Sequence, residues 1–195
     1  MNGYRLIDSV RGVTTLTPHG RFESAAVQVC DPGGRMSEHF CLFRNITPET
    51  CLLRLHSACV SSELFGCERC DCGWQLRETL RTFKSVDHCA IVYTLTDEGR
   101  GRGLVAKLKS YLGTDGTPSD GLHQRYIDAV DRRAFRDQAF VAYWLGVRSA
   151  SLLTNNSRKG AALGEMGIHL IEAIGLRSKQ ADLQEHYAWK DENVR

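Results

Sequence analysis

Four of the eight cysteines of this chain fall within fourteen positions, at Cys59, Cys67, Cys70 and Cys72. The spacing C-x10-C-x-C, with Cys67 just before the pair, obliges two separated segments to meet wherever these thiols act together. Thiolates are soft ligands that favour zinc. Three of them with a water make a catalytic site, whereas four make a closed structural one that here would use Cys67. The plainer alternative is burial as small hydrophobes, but Glu68, Arg69 and Asp71 crowd the cluster and charged side chains are rarely buried unpaired. Disulfides are the weakest alternative. Met1-Asn-Gly-Tyr-Arg5 has no apolar run behind its charge, so no secretory leader and a cytoplasmic location are expected. Clustered cysteines in that setting point to metal or catalysis. Cys30, Cys41, Cys51 and Cys89 lie in apolar segments and are expected in the core.

The 195 residues suit one domain, 1–195, ending in a polar tail from about Arg177. A net charge of +2 is too small to argue for a nucleic-acid partner, and no run approaches the ~20 apolar residues of a membrane span.

Ala25–Val29, Phe40–Phe43 and Cys51–Leu55 read as strands separated by turn-rich stretches. Trp74–Phe83 reads as a helix, His88–Leu95 as an apolar strand, and Leu104–Leu112 as a basic amphipathic helix. A longer helix is expected over Asp120–Leu145, capped by Gly146. Strand Ala150–Leu153, helix Lys159–Met166 and strand Ile168–Ile174 follow. Strands first and strand–helix alternation later predict a mixed α/β (α+β) fold.

Two strand-to-helix junctions carry groups suited to an anion. Glu98-Gly-Arg100-Gly-Arg102-Gly103 combines backbone freedom with two guanidinium forks, and Thr154-Asn-Asn-Ser-Arg-Lys159 brings hydroxyl, amides and two cations to a helix start. A solvated turn accounts for the first equally well, and an ordinary helix cap for the second. Two such junctions together favour a polyanionic ligand. Asp131-Arg132-Arg133 sets acid beside base on the expected helix, where a solvated charged face is the plainer explanation. Tyr111 and His56 are ambiguous in isolation.

Taken in order, these segments resemble the GTP cyclohydrolase II family of riboflavin synthesis. The matching strings are Arg54-Leu-His-Ser-Ala-Cys59, Arg69-Cys-Asp-Cys-Gly-Trp-Gln-Leu76, Glu98-Gly-Arg100, Gly103-Leu104, Tyr111, His123-Gln124, Asp131-x-Arg133, Leu145-Gly-Val147, Leu152-Leu-Thr-Asn-Asn156 with Lys159, and Glu185-His-Tyr187. The resemblance implies zinc held by Cys59, Cys70 and Cys72, whose water opens the guanine imidazole ring of GTP. Formate and pyrophosphate leave, and a 2,5-diamino-6-ribosylamino-pyrimidinone phosphate remains. It also implies Arg133 as nucleophile toward the α-phosphate, Asp131 as the proton acceptor beside it, and Tyr111 as a group that helps complete the reaction. Arg54, His56, Ser57, Gln75, Glu98, Gly99, Arg100, Thr154 and Lys159 would bind the nucleotide, magnesium would sit on its phosphates, and the chain would form a homodimer. An arginine nucleophile is chemically awkward, because the guanidinium pKa lies far above neutral. Stabilising charge on the phosphates is the alternative role for Arg133.

The chain departs from the family pattern at Ala58, where a Glu is usual, at Arg132, which replaces an acid, at Cys67, an added thiol, and at Ser157, where Pro is frequent. These changes open two alternatives. One is a diverged relative acting on another purine nucleotide or stopping at a formamide intermediate. The other is a non-catalytic nucleotide-binding module stapled by a four-cysteine zinc site.

Overall fold

The computed structural model describes residues 3–111 and 131–178. Its strands are β1 (Arg5–Thr17), β2 (Gly20–Cys30), β3 (Met36–Arg44), β4 (Leu52–Ser57), β5 (Cys89–Thr94), β6 (Ser149–Leu153) and β7 (His169–Ile174). They form one sheet in the order β1-β2-β3-β5-β4-β6-β7. The β1, β2, β3 and β5 neighbours pair antiparallel, and β5, β4, β6 and β7 pair parallel. The expected class is therefore what the chain adopts: hairpin-linked strands come first and strand–helix alternation follows.

The helices are α1 (Val60–Glu63), α2 (Cys72–Phe83), α3 (Gly103–Tyr111), α4 (Phe135–Leu145) and α5 (Ser157–Glu165). One sheet face packs Leu53, Leu55, Val92 and Leu152 with α4 and α5, around Ala139, Leu145 and Leu163. The other face packs Phe22, Ile91 and Leu153 against Phe83 and the apolar stripe of α2. All four apolar cysteines are buried, as their segments predict. Among the described residues, no helix is long and apolar enough to cross a membrane.

Two expectations need correction. Asp131–Ala134 are not helical, and the helix begins only at Phe135. The amides that would open a longer helix are used otherwise: Arg132 N–H donates to Arg100 O at 3.0 Å, and Arg133 N–H to the Asp131 carboxylate at 3.0 Å. The remainder of the expected helix, Asp120 to residue 130, lies outside the described residues, as do His123, Gln124, Glu185 and Tyr187. The second correction is β1, a thirteen-residue strand that sequence reading missed. It presents no buried face, and its register against β2 shifts twice, between Leu6 and Asp8 and between Arg11 and Val13. Those irregularities break the two-residue alternation by which a strand is recognised.

Candidate active site at the carboxyl ends of the parallel strands

Ligand crevices in sheets with parallel strands form beyond the strands' carboxyl ends. Here those ends deliver Ser57 and Cys59 from β4, Asp97 and Glu98 from β5, and Thr154 from β6. Strand alternation turns Leu53 and Leu55 into one core and Arg54 and His56 to the opposite face, beside α2.

Cys59, Cys70 and Cys72 come together with all three sulfurs within 4.8 Å of one another. The Cys59 and Cys70 Sγ atoms are 3.5 Å apart. A tetrahedral metal with bonds of about 2.3 Å to sulfur sets such pairs about 3.8 Å apart, so the residues fit zinc. Among the described residues, no fourth His, Cys, Asp or Glu joins this group, and Cys67 stays outside it. Hydrogen bonds from the Cys70 and Cys72 thiols, with Lys107, pull Cys59 well below the ordinary thiol range. The same sharing pushes Cys70 up to about 11 and raises Cys72 strongly. Three thiols competing for one negative charge are a donor set that calls for a cation.

A buried polar chain underlies the thiols. Asp71 Oδ2 accepts from Gln75 Nε2 at 2.5 Å, and Gln75 Oε1 accepts from Arg54 Nη2 at 2.5 Å. Arg54 Nε donates to His56 Nδ1 at 3.3 Å, which leaves His56 Nε2 to donate to Glu63 Oε1 at 2.7 Å. Tyr93 OH donates to Glu63 Oε2 at 2.5 Å, and its ring stacks on His56. Burial drives His56 down to about 4, so the imidazole is neutral at physiological pH. Burial also brings Arg54 to about 10, still a cation. Ser57 does not belong to this chain of bonds; its hydroxyl donates to Asp97 Oδ2 at 2.7 Å.

The Glu98–Gly101 turn is not an ordinary helix. Gly99 and Arg100 both take left-handed backbone angles, with φ of 60° and 61°. A Cβ on Gly101 would lie 3.2 Å from the Arg132 backbone, so this glycine lets the turn pack directly on the Asp131–Arg133 loop. There Asp131 grips Arg133 through both oxygens, at 2.9 and 2.7 Å, and also takes Arg158 Nη1 at 3.1 Å. Arg133, Arg158 and Lys159 each stand about 5 Å from the Phe135 ring centroid. Lys159 Nζ donates to Leu55 O at 2.7 Å. Burial, followed by the repulsion of Arg54 and Arg133, lowers its pKa well below the usual lysine value. Thr154 and Asn156 form a turn in which Asn156 Oδ1 caps α5 by accepting from Arg158 N–H at 3.0 Å. That is the helix-cap role weighed for this junction. Tyr111, at the end of α3, carries Arg69 over its ring at 4.9 Å.

The expected residues thus gather at one end of the sheet. Sequence reading missed Glu63, Tyr93, Asp97 and Phe135, which hold these groups in place. A lone acid in a four-residue helix or at a strand end, an aromatic residue inside a strand, or one opening a helix carries no signal of its own.

The chain is similar in sequence to known proteins. Residues 10–175 match the model of the family described as GTP cyclohydrolase II. Over 144 residues the chain is 35 % identical to GTP cyclohydrolase-2 of Vibrio parahaemolyticus, covering 72 % of this chain and 71 % of that protein. It is 33 % identical over 153 residues to the riboflavin biosynthesis protein RibBA of Porphyromonas gingivalis, covering 77 % of this chain and 38 % of the relative's length. It is 37 % identical over 131 residues to RibBA of Chlorobium phaeovibrioides, covering 67 % and 32 %. The chain spans under two fifths of the length of these two RibBA relatives. With a family match across most of its length, the chain belongs to the GTP cyclohydrolase II family.

Proposed function

We propose that the chain hydrolyses the guanine imidazole ring of GTP with zinc held by Cys59, Cys70 and Cys72, releasing formate and pyrophosphate to leave a 2,5-diamino-6-ribosylamino-pyrimidinone phosphate. The observation that carries this reading is the meeting of a three-thiol cluster with Arg54, Arg133 and Lys159 at the carboxyl ends of the parallel strands. Zinc held by these three thiols would lower the pKa of a bound water toward neutral and so supply the nucleophile for ring opening. The chain's own groups do the rest. Arg133, oriented by Asp131, and Lys159 face the phosphates together with magnesium, and an anion there offsets the burial and the repulsion from Arg54 and Arg133 that lower the Lys159 pKa. Because the Asp131 pair raises its pKa against burial, Arg133 acts in this reading as a cation on the phosphates. Arg54 and Gln75 align the purine, supported from behind by Asp71, His56 and Glu63. Gly99, Arg100 and Thr154 bound the nucleotide, and Tyr111 serves the later steps. The exposed apolar side chains of β1, among them Val10 and Leu16, suit the homodimer that belongs to this reading. Incubation of the zinc-loaded protein with GTP and magnesium, followed by mass spectrometry and a formate assay, tests the proposal. A diaminopyrimidine with stoichiometric formate supports it, and unchanged GTP overturns it.

One observation favours a diverged variant that stops at a formamide or takes another purine. Ala58, just before a zinc ligand, is buried at 6 % exposure and offers only a methyl group where the family pattern has a carboxylate. A ring-opened product that retains the formyl group would select this reading, and Ala58→Glu would then restore formate release.

A further inference from the structure

Lys107 is a buried ammonium that neither the metal nor the nucleotide contacts described so far account for. Its Nζ donates to Cys59 Sγ at 2.9 Å and to Glu98 Oε1 at 2.9 Å. The side chain is 5 % exposed and its Glu98 partner 10 % exposed. Glu98 is itself fully engaged: Oε2 accepts from Val60 N–H at 2.5 Å, and Oε1 accepts from Gly99 N–H at 2.9 Å. Cys59 is therefore gripped twice, at its sulfur by Lys107 and at the next backbone amide by Glu98. Gly99 makes the grip possible, because a Cβ there would press on Lys107 Cβ at 3.3 Å in a left-handed backbone.

We infer that Lys107 is a positioning residue for the metal site, whose ammonium neutralises and orients the Cys59 thiolate as a zinc ligand and, through Glu98, ties that ligand to the turn that receives the nucleotide. Three thiolates on a divalent ion leave a net charge of −1, and one buried cation in direct contact with Cys59 cancels it. A hydrogen bond from a cation also withdraws charge from the sulfur and fixes its lone-pair direction, which is how outer partners tune a metal. The inference rests on the zinc reading and adds a role for a residue which that reading leaves unused.

The test measures zinc affinity by competition with a chromophoric chelator for the wild type, Lys107→Met and Lys107→Arg, together with the sulfur-to-metal charge-transfer bands of the cobalt-loaded forms. Lys107→Met is expected to bind zinc about 10- to 100-fold more weakly and to shift those bands, with Lys107→Arg lying between it and the wild type. Unchanged affinity and unchanged bands in Lys107→Met would overturn the inference while leaving the zinc reading intact. Absence of stoichiometric zinc in the wild type would overturn the zinc reading itself. A measurement on the unmutated protein covers the case in which the variants do not fold. With lysine labelled by nitrogen-15 and the site loaded with cadmium-113, the Lys107 ammonium protons are expected to exchange slowly and to couple to the metal through the N–H···S bond. A rapidly exchanging, uncoupled ammonium would overturn the inference.

Discussion

Asp131 and Arg133 form a closed pair across a two-residue turn, with Arg133 Nε 2.9 Å from Oδ1 and Nη2 2.7 Å from Oδ2. Burial works against the charge of both partners, yet each outweighs that effect on the other, so Asp131 is held below the usual carboxylate range and Arg133 above the usual guanidinium value. The pair is a salt bridge that aims a cation. Asp131→Asn is expected to lower kcat about 100-fold through lost orientation, with bound zinc unchanged. Steady-state pyrophosphate and formate release check this, and wild-type turnover in the variant would remove the aiming role.

Cys72, inside the three-sulfur group, and Cys67, the candidate fourth thiol, are expected to behave differently. Cys72→Ser is expected to lose stoichiometric zinc and ring opening together, because it deletes a member of the three-sulfur group. Cys67→Ser is expected to keep both. Metal analysis of the two variants, with X-ray absorption on the wild type giving three sulfurs and one lighter atom, separates the catalytic site from a four-sulfur staple.

Acid should destabilise the fold through two buried histidines. Burial holds His39 down to about 3 and His56 to about 4, while both ionise near 6.5 in the unfolded chain. The unfolded state therefore binds more protons below pH 6.5, and stability falls as pH falls toward 4, by about 1.4 kcal/mol per pH unit for each group at most. Urea unfolding in the presence of a chelator, which removes any contribution from metal release, should show this slope. His39→Asn should flatten it by removing one of the two titrating rings, whose nitrogens meet Ser37 and Thr94.

Asp137 carries the opposite sign. It lies 1 % exposed in the first turn of α4, and among the described residues neither oxygen has a hydrogen-bond partner of good geometry, Ser37 offering only a weak one. Burial pushes it up to about 6 from an ordinary value of 3.8. The folded state binds the proton more tightly, so the cost of ionising it grows as pH rises from about 4 to 6 and stays constant above. Asp137→Asn is expected to stabilise the protein by ~1–3 kcal/mol at neutral pH, with the gain vanishing near pH 4. Denaturant midpoints at pH 4 and pH 7.5 measure it, and equal shifts at both would exclude ionisation as the cause.

The sequence by itself determined the sheet-then-alternation plan, the cysteine cluster and the segments that carry cations. These are properties of local spacing: two-residue and 3.6-residue periods, glycine punctuation at Gly146 and Gly167, and a dense cysteine string. It did not yield β1, whose exposed faces and two register shifts erase the alternating pattern. Nor did it yield the true start of α4, where Asp131 and Arg100 take the amides that a longer helix would use. Only the tertiary structure decided which polar groups meet. Tyr93 finds Glu63 thirty residues away, Ser57 finds Asp97 forty away, and Lys107 finds Cys59 forty-eight away. The sheet order places β4 between β5 and β6, and that adjacency is set by the burial of Leu53, Leu55 and Leu152 rather than by the polar residues it juxtaposes. Packing of apolar side chains fixes the frame, and the buried charges then settle where partners within that frame offset the cost of leaving water.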